Sequence, residues 1–280
     1  MYFTLEALQA HHGDSLLLHW GSKSDPRLAI IDGGPDPTYR TVLRPRLEAL
    51  TAARGRALAI DLLMISHIDD DHINGVQDLL KDVDSGKLPS VEIQRLWFNS
   101  FDDLAASDSG FVAASTRNSA ATLTRLGRIG ARSRPVVTSV KQGRSVATLA
   151  ARLGLAGNQP FRGLVQAPAR RRRTVRIDSH LELTIIGPNQ TRLDQLQEDW
   201  VATEAGARKS SAALAYLDDS IANLSSIVVL ARSGTKTMLL TGDARGDDIL
   251  AGLCSAGLLK NRMKVHLFKL PHHGSDRNVD

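Results

Sequence analysis

Residues 61–75 read Asp-Leu-Leu-Met-Ile-Ser-His-Ile-Asp-Asp-Asp-His-Ile-Asn-Gly, an apolar run that opens directly onto Ser66-His67-Ile68-Asp69-Asp70-Asp71-His72. An apolar run without alternation predicts a strand over 61–66, covered on both faces and central in its sheet. Three carboxylates and two imidazoles packed between His67 and His72 repel one another and resist burial unless cations hold them. Residues 67, 69 and 71 alternate, so in extended backbone they share one direction. His72 then turns back at a helix start, with the helix itself predicted over 74–80. That spacing suits two adjacent cations, His67 and Asp69 on one, Asp71 and His72 on the other.

Three other predicted strands end on residues of similar chemistry. Leu28-Ala29-Ile30-Ile31 runs into Asp32-Gly33-Gly34, Leu239-Leu240 into Thr241-Gly242-Asp243, and Val265–Lys269 into Pro271-His272-His273-Gly274-Ser275. Further strands are predicted over 3–9 and 15–20 around a turn at Gly13–Asp14, over 95–98, near 135–139 and over 181–186, with a hairpin pairing 226–232 with 236–241. Helices are predicted over 39–53, 112–129, 144–153, 190–200 and 246–256, with a loop over 154–168 and Arg170–Arg173 on a turn or strand entrance. Strands dominate each half with helices after them, which predicts one α/β domain over 1–280: two sheets face to face with helices outside. Asp14, Asp32 and Asn99 fall at strand ends, where they are candidates to hold the ligands in place.

Charge is distributed unevenly. The 280 residues carry 35 Lys and Arg against 30 Asp and Glu, a net of +5. From Ser109 to Ile177 there is no acid and there are fourteen basic residues, including Arg132, Arg134, Arg170, Arg171, Arg172 and Arg173. The rest of the chain keeps 21 of the 35 basic residues against all 30 acids, a net of −9. An arginine-dominated, acid-free block of this kind suits the backbone of a nucleic acid, because each guanidinium can neutralise and fork onto a phosphate. The single cysteine excludes a disulfide framework, and the absence of an 18-residue apolar run argues against a membrane span. With no secretory signal at the start of the sequence, the expected location is the cytoplasm.

Together these segments resemble the metallo-β-lactamase-fold hydrolases, whose fold is an αββα sandwich of two mixed sheets. The family's His-x-His-x-Asp-His motif matches His67, Asp69, Asp71 and His72, with Asp in place of the second His. The resemblance makes Asp243 the residue bridging two divalent cations and His273 the last ligand, with His272 as the alternative. It assigns catalysis to Asp71, His72 and Asp243, with Asp71 orienting the attacking water. Zn²⁺ or Mn²⁺ is implied, with Mg²⁺ as a further option because the Asp-for-His exchange hardens the site. Asn223 stands where the fold usually supplies another histidine, so it would be a weak ligand at most.

The Asp variant with Pro271-His272-His273-Gly274-Ser275 and the Gln9–Ser15 opening turn resembles the branch that contains the hydrolase domain of the competence DNA-uptake channel and the phosphorylcholine esterases. It is most similar to stand-alone members found beside bacterial antiviral defence genes. This implies a nuclease acting on DNA or RNA, restrained until triggered, with a regulatory partner such as a protease or an ATPase. The alternatives are a small-molecule esterase or lactamase-type hydrolase, or a non-catalytic regulatory member. The fold normally continues past the final histidine segment, so closing elements at the C-terminal end are expected to be missing from the sandwich.

Overall fold

The computed structural model describes residues 1–100, 134–155, 157–195 and 222–275. Strands β1 (Tyr2–Ala7), β2 (Leu16–Gly21), β3 (Pro26–Ile31), β5 (Leu62–Met64) and β7 (Leu96–Trp97) form one sheet in the order β1-β2-β3-β5-β7. Strands β8 (Arg173–Arg176), β9 (Glu182–Gly187), β10 (Val228–Ser233), β11 (Lys236–Leu240) and β12 (Leu267–Phe268) form the second, in the order β12-β11-β10-β9-β8. Both sheets mix parallel and antiparallel pairs. A separate two-stranded ribbon pairs β4 (Leu58–Ile60) with β6 (Val91–Ile93).

Period-2 alternation explains the layering. Leu16, Leu18, Trp20, Ala29, Ile31, Leu62 and Met64 of the first sheet meet Leu183, Ile185, Val229, Ala231, Met238 and Leu240 of the second in one buried cluster. The opposite phase of the first sheet, Leu17, Leu28, Ile30 and Leu63, packs under helices α1 (Arg44–Arg54), α2 (Asp70–Asp84) and α3 (Arg134–Arg152). The outer face of the second, Val228, Leu230 and Leu239, is covered by Ile249 and Leu253 of α4 (Gly246–Ser255). The result is a four-layered αββα sandwich.

The structure departs from the sequence expectations in a few places. The strand expected near 135–139 is the first half of α3. Its Val136-Val137-Thr138 run favours a strand locally, but Val146, Leu149 and Ala150 further along bury against α2, and that packing sets the conformation of the whole helix. Pro135 sits in the first turn, where its missing N–H costs nothing. Helix α2 begins at Asp70, not at 74. Asp71 and His72 are therefore helical, and residues 67, 69 and 71 do not alternate along a strand as expected. Two adjacent acids at a helix N-terminus meet its partial positive charge, which favours the earlier start. The helix expected over 112–129 lies outside the described residues. The one over 190–200 is described only for 190–195, where it is helical.

Two features of the frame set up the site. Gly33 and Gly75 press backbone against backbone: Gly33 N–H donates to His72 O (2.8 Å) and Gly75 N–H to Gly34 O (3.0 Å). A Cβ on Gly75 would lie 2.0 Å from Gly33 O, and one on Gly33 would lie 2.2 Å from Val76 N. This close approach fixes the first turn of α2 against the end of β3. In the second sheet, Leu240 pairs with Val229, Val229 with Ile185, and Ile185 with Arg173. The run Arg170–Arg172 thus enters β8 at the same end of the sheet as Asp243, about 14 Å away across three strand spacings. Because neither backbone at the Gly33–Gly75 contact can yield, Gly75→Ala is expected to destabilise the fold by about 3 kcal/mol. Urea unfolding reads this as a lowered midpoint at unchanged slope, and an unchanged midpoint would refute it.

Candidate metal centre

The three consecutive aspartates are divided by the helix start. Asp69 occupies the N-cap of α2 in extended backbone. Asp70 turns away, accepting hydrogen bonds from Asn74 Nδ2 and from Gln142 Nε2 of α3. Asp69 and Asp71 are left to face the histidines.

Three imidazoles follow one pattern. His67 Nδ1 lies 3.0 Å from Ser66 Oγ, His72 Nδ1 2.9 Å from Asp32 Oδ2, and His273 Nδ1 3.4 Å from Asp14 Oδ1. Their Nε2 atoms face inward. His67 Nε2 is 3.4 Å from Asp69 Oδ2, and His72 Nε2 is 3.3 Å from Asp243 Oδ2 and 3.8 Å from Asp71 Oδ2. His273 Nε2 is 3.3 Å from Asp71 Oδ2 and 3.4 Å from Asp243 Oδ2. The rings of His67 and His72 stand 4.1 Å apart between centroids, those of His72 and His273 5.3 Å. The Nε2 atoms of His67 and His72 are buried and make no hydrogen bond of good geometry. An imidazole tethered through one nitrogen, with the other buried among carboxylate oxygens, is furnished as a cation ligand. Asp14, His72, Asp243 and His273 each offer an atom within 4.8 Å of the others. The residues present therefore fit a divalent cation.

The supports of these side chains come from distant segments. Asp32, fully buried and in left-handed backbone (φ 61°), accepts Ser66 N–H and Ser66 Oγ–H, both at 2.7 Å, besides its contact with His72. Asp243 follows Gly242 (φ 50°), where a Cβ would lie 2.8 Å from Ser66 Cβ, and its N–H donates to Ser226 Oγ (3.2 Å). The Gly13–Asp14 turn presses on α2: Asp14 N–H donates to Asp71 O (3.3 Å), and a Cβ on Gly13 would sit 2.1 Å from that oxygen. His272 and His273 both adopt left-handed backbone in a tight turn over Pro271–Gly274. Of the two, His273 meets the carboxylates.

Other expected residues lie elsewhere. Asn99 does not hold a ligand: its amide is spent on the backbone of Val165, donating to the carbonyl (2.9 Å) and accepting the N–H (2.8 Å). Asn223 is buried in a turn over Ala222–Ser225, and its carbonyl accepts Ser226 N–H (3.1 Å), so it supports the segment that carries Ser226 and, through it, Asp243. Arg170, Arg171 and Arg172 are exposed and meet no carboxylate among the described residues. Arg173 lies over the Phe161 ring, 4.0 Å from its centroid. Arg134 opens α3, and Arg132 lies outside the described residues. One participant escaped the sequence reading. Lys269 contacts Asp14 Oδ2 and lies 3.7 Å from Asp243 Oδ1. Its trace was a lone lysine in the inward phase of a strand, since 263, 265, 267 and 269 are half-buried while 264, 266, 268 and 270 are exposed.

Burial works against every charge here, and the partners overcome it. Burial lowers His72, but Asp32 and Asp243 lift it well above its ordinary value. Burial also lowers His273, but Asp14, Asp243 and Asp71 raise it to about 11. Burial raises Asp14, Asp71 and Asp243, yet the histidines, and for Asp14 also Lys269, hold all three below the usual carboxylate range. Without a cation, the surrounding carboxylates therefore favour the cationic form of both imidazoles at pH 7. Their stabilisation is complete below pH 6.5, the ordinary histidine value, and is lost as pH rises through the folded values. A cation requires neutral nitrogen, so loading expels those protons. Titration of a divalent ion at pH 7 in buffers of different ionisation enthalpy is expected to read release of about two protons per chain. Zero release would overturn the reading that a cation displaces protons from His72 and His273.

The sequence matches the family model of the metallo-beta-lactamase superfamily over residues 15–188, a span that holds His67–His72 and stops short of Asp243 and His273. No curated protein matches the chain. Among the described residues, no helix is long and apolar enough to cross a membrane. The superfamily comprises, in general, metal-dependent hydrolases that bind divalent cations. By this match, with its αββα layers and carboxylate–imidazole cluster, the chain belongs to the metallo-β-lactamase superfamily.

Proposed function

We propose that the chain is a metal-dependent phosphodiester hydrolase, a nuclease acting on DNA or RNA. The observation that carries this reading is the shared sheet end: the exposed, carboxylate-free run Arg170–Arg172 enters β8 at the same end of the sheet that carries Asp243. Three strand spacings, about 14 Å, correspond to roughly four phosphates along one strand of a duplex, so one bound nucleic-acid strand would reach both.

His67 and Asp69 would hold one cation, and Asp71, His72 and His273 its neighbour, with Asp243 between them. Carboxylates make up half of this set, which favours Mn²⁺ or Mg²⁺ alongside Zn²⁺. Bound divalent cations polarise a phosphoryl group and activate water at neutral pH. Asp71 would orient an attacking water, and Asp32 and Asp14 keep His72 and His273 in register. The antiviral defence setting and the regulatory protease or ATPase partner rest on the likeness of the His/Asp segments, and the cytoplasmic location on the single cysteine.

Asp71→Ala and His72→Ala are expected to lower EDTA-sensitive plasmid nicking by more than about a hundredfold, beyond the cost of losing an outer partner. Asn223→Ala should cost much less. Parent-level nicking by both of the first two variants would end the nuclease reading. Replacing Arg170–Arg173 with alanine should flatten the salt dependence of DNA affinity, where each phosphate contact contributes about 0.9 to the slope of log K against log salt. A parent whose affinity ignores salt would instead favour a small-molecule esterase.

A further inference from the structure

Lys269 is the one ammonium in contact with the cluster among the described residues. Its side chain is only 11% exposed. Both of its ends are fixed. The backbone N–H donates to Leu239 O (3.0 Å) and the carbonyl accepts Thr241 Oγ–H (2.8 Å). The Nζ donates to Gly242 O (2.9 Å) and pairs with Asp14 Oδ2. The ammonium thus ties together the opening turn, the end of β11 and the final histidine segment.

The contacts divide two carboxylates in the same way. Asp14 gives Oδ2 to Lys269 and turns Oδ1 to His273 Nδ1 at 3.4 Å. Asp243 turns Oδ1 to Lys269 at 3.7 Å and Oδ2 to the Nε2 atoms of His72 and His273 at 3.3 and 3.4 Å. Asp14 lies within reach of a cation, but both of its oxygens already face a side chain of the last segment. It orients the ring of His273.

We propose that Lys269 is a positioning residue of the metal centre: it holds Asp14 so that His273 presents Nε2 inward, and it faces Asp243 so that Oδ2 is the oxygen offered to a cation. The proposal rests on the reading of the cluster as a cation site. Two effects oppose each other at this position. A positive charge close to a divalent ion repels it, while an aligned ligand set attracts it. Lys269 and Asp14 are paired, so their charges largely cancel at the site, and alignment prevails.

The test is divalent-cation binding by the full chain, with Mn²⁺ followed calorimetrically and Co²⁺ by its absorption spectrum. Lys269→Gln keeps a donor, one bond shorter, but no charge. It is expected to weaken Mn²⁺ binding by about 10- to 100-fold, the cost of losing an outer partner, and to alter the Co²⁺ spectrum. Lys269→Arg keeps the charge and should recover most of the affinity. Asp14→Asn, which breaks the same link from its other side, should reproduce the loss even where Lys269→Gln fails to fold. A folded Lys269→Gln or Asp14→Asn chain that binds Mn²⁺ as tightly as the parent, or more tightly, with an unchanged Co²⁺ spectrum, overturns the role of Lys269 and leaves the cation site standing. A parent chain that binds neither ion overturns both.

Discussion

Like charges held together in a dry place are the constraint on which the rest of this molecule depends. Asp14, Asp32, Asp71 and Asp243 gather around His72 and His273, and among the described residues Lys269 is the only ammonium that touches them. Two carboxylates 4 Å apart repel by about 4 kcal/mol at a surface-like dielectric. The imidazoles and Lys269 offset part of that repulsion, and rigid backbone, which the sandwich supplies, holds the group in place. Each member sits next to a strand end or in the first turn of a helix, where the chain enters or leaves a packed layer and its direction is already set by the core.

Backbone contacts convert that rigidity into precision. Glycines allow main chains to approach where a side chain would keep them apart: Gly13 against Asp71, Gly33 against Gly75, Gly242 against Ser66. At the first two, backbone meets backbone, so the spacing between the opening turn, the end of β3 and the first turn of α2 has little freedom to change. Asp32 adds the polar part of the same fastening. It bonds both the N–H and the hydroxyl of Ser66 while touching His72, so one carboxylate locks the exit of β5 to the helix that follows.

Much of this was legible in the residues, for physical reasons that differ from place to place. The central strand and the His67–His72 segment were readable because uninterrupted apolarity followed by crowded charge admits few structural explanations. Strand-end Asp32 and Asp243 were readable because a carboxylate after an apolar run must emerge at a sheet edge. The start of α2 was misread because alternation at 67, 69 and 71 imitates a strand, while the acids at the helix N-terminus and the packing of α2 on Gly33 and Gly34 favour the helix. Val136–Thr138 misled similarly, with local β preference overridden by the burial of Val146 and Leu149 further along the same helix. Asn99 looked like a site residue because it follows a strand, yet its amide completes the backbone bonding of Val165, a partner that no local pattern reveals.

Lys269 shows why a motif-by-motif reading falls short here. The family match spans 15–188, so it covers the segment richest in ligands and leaves out Asp243, Lys269 and His273. Those later residues are bound to the earlier ones by side chains alone: His273 to Asp14 and Asp71, Lys269 to Asp14, and Asp243 to His72. Each imidazole is tethered at one nitrogen by a group from a chosen segment: His67 by its neighbour Ser66, His72 by β3's Asp32, and His273 by the opening turn's Asp14. The tethers form a circuit that passes from the first sheet to the second and back. A change in any one of them alters the direction of a ring whose own residue is untouched. The arrangement of the centre is therefore a property of the two sheets closing on each other, and the His67–His72 segment supplies only the part that lies within one of them.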